Sequence, residues 1–356
     1  MRRPLALLLA PTAFALLNWI AAGGVRADPP VPGEAPPFSA YDIALAEAGL
    51  PEGWKAGPSD PPSADEKAIR DEIEAIAKAK GEEATVVGRA LVTADGKAVT
   101  VVLVDSAKEP KAFSTAVQES ATKHGWSTAE LGSPSRLAIC AGPEDARAKA
   151  LAAQAAYAVR MLSVKASSAL EMRTGPRAYG FAKAALAIDG KHAPSHYVVA
   201  VLIAVAAQNK QPEAKVEDAI AHFKAALSKE ATSPLSGDTV AQAYGELGGA
   251  YLNAKMNAEG RDALKEAVKR LPGSTVSKDL ALTFRYNLAC AHGRLKEMDE
   301  AFGLLTGVLE DIAKEPNEQL EELWPTDEDF TNLKADPRWA ELTKKYGAKK
   351  DAGGGN

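Results

Sequence analysis

The feature that most constrains this chain is a set of small residues spaced along paired helices in its second half. Tyr244, Leu247, Gly248 and Tyr251 recur at helical spacing, and Gly260, Leu264 and Ala267 follow on a second helix that Pro272 ends. Glycine at 248 and 260 removes the side chain that would hold two helices apart, while Leu264 and Tyr251 fill the space beside them. Proline stops the second helix because it lacks an N–H and clashes with the preceding turn. One such hairpin leaves an apolar face in water, so the pattern demands neighbours. Two weaker copies supply them. Ala219, Phe223 and Ala226 mark the second helix of one, and Leu288, Ala289, Ala301, Leu305 and Val308 run through the other, with Arg285 at the position of Tyr244 and His292 at that of Tyr251.

The spacing Tyr244-x-x-Leu247-Gly248-x-x-Tyr251, then Gly260-x-x-x-Leu264-x-x-Ala267 and Pro272, resembles the tetratricopeptide repeat. Tyr244 stands where that family has tryptophan and Gly260 where it has alanine. The resemblance covers about residues 176–315, with pairs at about 193–231, 241–272 and 282–315. A partial pair precedes them and closes at Ala185-Leu186-Ala187-Ile188. The segment Asp327-Glu328-Asp329-Phe330-x-x-Leu333-x-x-Asp336-Pro337-Arg338-Trp339 is similar to one that closes many bacterial members, where it follows a helix reading as Asn287-Leu288-Ala289-Cys290 does here. The resemblance implies an all-α superhelix over residues 142–346, with a cap at 318–346 in which Phe330, Leu333, Trp339 and Leu342 cover the end of the stack. It also implies a non-enzymatic scaffold whose concave face holds a peptide or partner protein. Position on the first helices then nominates Gln242, Glu246, Asn253 and Asn287 as outward contacts, the two asparagines suited to grip a partner's backbone amides.

The start of the chain reads as an export signal. Arg2 and Arg3 precede the apolar run Leu5–Ile20, and Val25-Arg26-Ala27 offers small residues to a signal peptidase, giving a signal over residues 1–27. The expected location is the periplasm or the medium of a bacterium, and an uncleaved signal would instead serve as a membrane anchor. Residues 28–40 follow as a linker, with five prolines between Asp28 and Pro37. At the other end, residues 347–356 are Lys- and Gly-rich and are expected to be disordered. The chain carries 42 basic and 47 acidic side chains, net −5; cleavage removes Arg2, Arg3 and Arg26 and leaves −8. That balance and the dispersal of the Lys and Arg residues argue against nucleic acid as a partner.

Residues 41–141 change period and predict a small α+β domain ordered α-β-β-α-β-β. A short helix over Tyr41–Leu50 precedes it. Ser63 or Asp65 caps a helix over Glu66–Lys80 with Ile69, Ile73 and Ile76 along one stripe. Strands over Ala84–Thr93 and Ala98–Val104 flank the turn Asp95-Gly96. Phe113, Val117 and Ala121 mark a helix over Lys111–His124, and strands follow at Trp126–Leu131 and Arg136–Cys140. One helical layer on one face of the sheet is the simplest arrangement. A long alanine-rich helix opens after Pro143 and places the domain boundary near Ala141, with the helix free to join either side.

No constellation carries recognisable chemistry. His192 and His196 have ligand spacing, but no glutamate follows His192, and neither phosphate-binding glycine loops nor G-x-S-x-G occur. The expectation is therefore no cofactor, no metal and no catalytic residue. The acidic run Glu315–Asp329 reads as a solvated face, and Cys140 and Cys290 as small buried hydrophobes. Two other readings stay open: a structural component of envelope assembly, and an enzyme whose site lies in the N-terminal module.

Overall fold

The computed structural model describes residues 39–58, 62–106, 110–133 and 135–347. The expected signal, most of the linker and the tail beyond Gly347 lie outside the described residues. The chain divides into two compact units, residues 30–198 and a second beginning at Val199.

In the first unit the strands are β1 (Lys55–Ala56), β2 (Ala84–Val92), β3 (Ala98–Ser106), β4 (Ser127–Glu130) and β5 (Arg136–Ala141), and the helices are α1 (Ala64–Lys80), α2 (Pro110–Lys123), α3 (Glu144–Glu171) and α4 (Gly175–Ile188). The sheet is antiparallel in the order β1-β2-β3-β5-β4. Ser63 caps α1 by accepting the Glu66 N–H at 3.1 Å, and Gly81 ends it with a left-handed φ of 67°. The β2–β3 hairpin closes through Thr93 and Lys97 around Asp95-Gly96, with Gly96 at φ 83°. The six-element order inferred from the sequence is present, with β1 as an additional edge strand. Two exposed residues are too short a signal to read.

The single helical layer is not what forms. Val102, Val104, Leu137 and Ile139 meet Ile69 and Ile73 of α1 and Phe113 and Val117 of α2. The alternate residues Val101, Leu103, Ala138 and Cys140 point to the opposite face and are also buried, and there α3 packs across β3, β4 and β5. Central strands covered on both sides read as continuous apolar runs, which is how Ala98–Val104 and Leu137–Cys140 appear. The division at Ala141 is corrected for the same reason: α3 packs on the sheet, and the compact units separate within the helix that starts at Ala193. The short helix expected over Tyr41–Leu50 is two 3₁₀ turns, Ala40–Ile43 and Glu47–Gly49. Ala40 is buried, so the expected linker ends before it.

That helix, α5 (Ala193–Gln208), is followed by α6 (Val216–Ala226), α7 (Gly237–Asn253), α8 (Asn257–Lys269), α9 (Lys278–Arg294) and α10 (Met298–Lys314), then by the short α11 (Glu318–Leu323), α12 (Thr331–Lys334) and α13 (Pro337–Tyr346). From α6 to α10 each helix packs against the next. Ser236 and Ser277 cap α7 and α9 by accepting the Thr239 and Leu280 N–H groups. The turns inside successive hairpins share one geometry. Arg173, Lys210, Lys255 and Lys296 each hold a left-handed φ, at 58°, 55°, 62° and 63°. The next N–H in each turn reaches back five residues, to Ala169, Ala206, Tyr251 and His292.

Candidate partner-binding face

The seam between α7 and α8 rests on two glycines facing each other. A Cβ on Gly248 would lie 2.4 Å from Cγ of Leu264 and 3.1 Å from the Gly260 carbonyl oxygen. A Cβ on Gly260 would lie 2.9 Å from Leu252 and 3.2 Å from the Gly248 carbonyl oxygen. Leu264 and Ala267 are fully buried, Leu247 nearly so, and Tyr244 lies under the Arg270 guanidinium at 4.7 Å. Tyr251 is half-buried, and burial raises its pKa. Pro272 is exposed just past the end of α8. Gly245 admits Phe284 of α9, whose ring would sit 2.2 Å from an added Cβ. These approaches place α7, α8 and α9 in mutual contact.

Of the four residues expected to face outward, the structure exposes one. Asn253 is exposed at the end of α7, and Gln242 is half-buried. Glu246 and Asn287 are only 2% and 3% exposed, and both are engaged by neighbours. Helix position alone located them on the first helices and did not say which face of each helix is covered. The segment Asp327–Leu333 covers α9. Tyr286 donates to Asp327 at 2.6 Å, the Cys290 thiol contacts the same carboxylate at 3.9 Å, and Arg294 forks onto Asp329 at 2.8 and 2.9 Å. Gly293 lets the segment lie flat: an added Cβ would meet the Asp329 carbonyl oxygen at 3.1 Å. Arg294 also donates to the Leu252 carbonyl at 2.7 Å, tying the end of α7 to α9.

Apolar side chains complete this closure. Trp324, Phe330 and Leu333 are essentially inaccessible, Leu342 is 7% exposed, and Trp339 packs at the margin. Asp327 and Asp329 therefore correct the reading of Glu315–Asp329 as a wholly solvated face. Burial, reinforced by the neighbouring Asp327, raises the Asp329 pKa, and Arg294 opposes the shift. The sequence marked the closing segment through Phe330, Leu333, Trp339 and Leu342, and gave no sign that Asp327 and Asp329 would be drawn onto α9.

Ligand atoms of Cys290, Asp327 and Asp329 lie within 4.8 Å of one another. The thiol is held protonated by burial, its pKa well above the ordinary value. A cation there would have to displace the Arg294 fork and the Tyr286 hydroxyl, so the cluster is already satisfied by the protein itself. The histidine pair is also committed elsewhere. His192 Nδ1 meets Ser195 Oγ at 2.9 Å at the start of α5, and His196 Nε2 meets the Gly190 carbonyl at 3.0 Å. His292 Nδ1 and Glu297 Oε2 approach to 2.5 Å without hydrogen-bond alignment, and Arg261 pairs with the other Glu297 oxygen at 2.5 Å. Cys140 is buried in β5, and burial pushes its thiol up to about 12. No helix among the described residues is long and apolar enough to cross a membrane. No protein-family model matches the chain, and no curated protein matches it either.

Proposed function

We propose that this is an exported, non-enzymatic bacterial scaffold of the tetratricopeptide-repeat type, which binds a peptide or protein partner on the concave side of a helical superhelix. The observation that carries this reading is the Gly248–Gly260 seam within consecutive hairpins that share one turn geometry. Repetition of a hairpin with close helix approach generates an extended recognition surface, and contacts dispersed along such a surface need no catalytic group. The exported location rests on the charged and apolar pattern of residues 1–27.

The burial of two of the four nominated residues redefines where a partner would sit. Asn287 and Glu246 are both buried, so the binding surface centres on Gln242 and Asn253 of α7. A photo-crosslinking residue at 242 or 253, introduced into the full chain in its native envelope, tests the reading. The expected result is one recurrent protein adduct from these two positions and none from the exposed position 303 on α10. Equal labelling from all three positions would refute the surface.

A further inference from the structure

The first unit holds a polar side chain that its surroundings do not explain. The buried stripe of α3 reads Ala146, Ala150, Gln154, Ala158, Leu162 and Ala166, and Gln154 is 0% exposed. Its Oε1 accepts the Leu45 N–H at 3.0 Å, and its Nε2 donates to the Ile43 carbonyl at 2.6 Å. A carboxamide used this way imitates one rung of a β-ladder. It reads main chain and is indifferent to the side chains presented.

Three further contacts hold the same segment. Arg89 of β2 donates to the Leu45 carbonyl, the Asp105 carboxylate at the end of β3 accepts the Ala40 N–H, and the Tyr157 ring of α3 lies against Gly49, where an added Cβ would be 2.5 Å away. Each polar contact named here ends on a main-chain atom. Specificity comes from shape: Ile43 and Leu45 are 0% and 4% exposed, two residues apart. The segment forms a short 3₁₀ turn, with a second turn just after it, and takes no place in the sheet. Few hydrogen bonds of the sheet would be lost if it withdrew.

We propose that the groove between α3 and the β2–β3 hairpin is a peptide-binding site, filled in cis by Ala40–Leu45, which accepts from a partner a short segment with aliphatic side chains two residues apart. Backbone-directed polar contacts and paired aliphatic pockets are what a site needs to accept such segments from another chain. The tethered copy acts as a competitor whose departure sets the apparent affinity. This site is separate from the α7 surface and does not depend on it.

The test uses the full chain and a labelled synthetic peptide spanning Ser39–Leu50. Ile43→Ser with Leu45→Ser weakens the tethered copy, and the peptide should bind this variant about tenfold or more tighter than the wild type. Adding Gln154→Leu should weaken that binding by about tenfold, because two backbone groups of the peptide then go unpaired. A folded variant that binds no better than wild type overturns the proposal. Amide exchange in the wild type decides the matter even if the variant fails to fold. The Leu45 amide should exchange by local opening, well ahead of Val102 in β3. Exchange of both only through global unfolding would make the segment a fixed part of the core and end the proposal. A dilution-sensitive wild-type dimer that Gln154→Leu dissociates would assign the groove to a second copy and overturn the choice of partner.

Discussion

Replacing Gly248 by alanine sets two effects of opposite sign against each other, and the geometry of the seam decides between them. In a helix interior, alanine is favoured over glycine by about 1 kcal/mol, because glycine loses more backbone entropy on folding. At Gly248 the new methyl would lie 2.4 Å from Cγ of Leu264 and 3.0 Å from its Cδ2. Cγ is the branch point of a fully buried side chain, so relief requires the helices to part or Leu264 to leave its rotamer. Overpacking of that kind costs about 1–3 kcal/mol, and a contact this short belongs in the upper part of the range. The expected net result for Gly248→Ala is a loss of about 1–2 kcal/mol. Gly303→Ala on α10 is the control, since a Cβ there meets nothing within 4 Å; it should gain up to about 1 kcal/mol. Calorimetric melting separates the cases, at about 2–4 °C per kcal/mol for a unit of this size. Combining Gly248→Ala with Leu264→Ala should cost less than the sum of the two, by about 1 kcal/mol or more, because the second change removes the atoms the first one strikes. If Gly248→Ala raised the melting temperature as Gly303→Ala does, the tight-seam argument would be wrong.

Three other outcomes follow from the geometry. Lys255→Gly and Lys296→Gly should each stabilise the second unit by about 1 kcal/mol in denaturant titration, since each lysine occupies a left-handed φ that glycine adopts without strain. Arg294→Ala leaves Asp329, with a side chain only 16% exposed, without its bidentate partner; a loss of about 2–4 kcal/mol is expected, with Trp324 emission shifting to the red as the cap loosens. Burial holds the pKa of both His192 and His292 below the ordinary 6.5, so their neutral forms stabilise the fold fully above that value. Stability should therefore fall as pH drops from about 7.5 to 5.5, and His292→Phe should flatten part of that slope; a slope unchanged in the variant would discount His292. Asp105 and Asp329 have raised pKa values and act with the opposite sign nearer the carboxyl range, which is why the measurement stops at 5.5.

Local periodicity made most elements legible. Ile69 and Ile73, then Phe113, Val117 and Ala121, announce α1 and α2 by their spacing, and each of these residues is buried as expected. Gly248 and Gly260 were legible because close helix approach leaves a compositional mark. What stayed hidden was decided by long-range partners. Gln154 looks like an ordinary helix residue until a segment more than a hundred positions earlier supplies its two backbone partners. Asn287 reads as an outward side chain on α9 and is 3% exposed, because neighbouring elements close over its face of the helix. The second helical layer was missed for a related reason. The run Arg136–Ala141 is buried at every position, and a continuous apolar run marks a strand covered on both faces without saying by what.

In both units a short segment of the chain covers a helix, and the chemistry of the two covers differs in a way that predicts their behaviour. Over α9 most contacts run between side chains, with Asn332 also donating to the Gly293 carbonyl at 2.9 Å. Phe330 meets Tyr286 edge-on at 5.5 Å, Trp324 meets Trp339 at 5.3 Å, and the Asp329–Arg294 fork is partly shielded from water. Lifting that segment would expose several aromatic rings and strand charges, so it should open only with the helices beneath it. Over α3 the anchors are two aliphatic side chains and hydrogen bonds to main chain that the backbone of another peptide can replace. A cover whose contacts are generic can be exchanged, whereas one whose contacts are particular cannot. Amide exchange should therefore rank the Phe330 amide with the α9 core and the Leu45 amide well below β3. The reverse order would show that side-chain specificity is a poor guide to which segment moves.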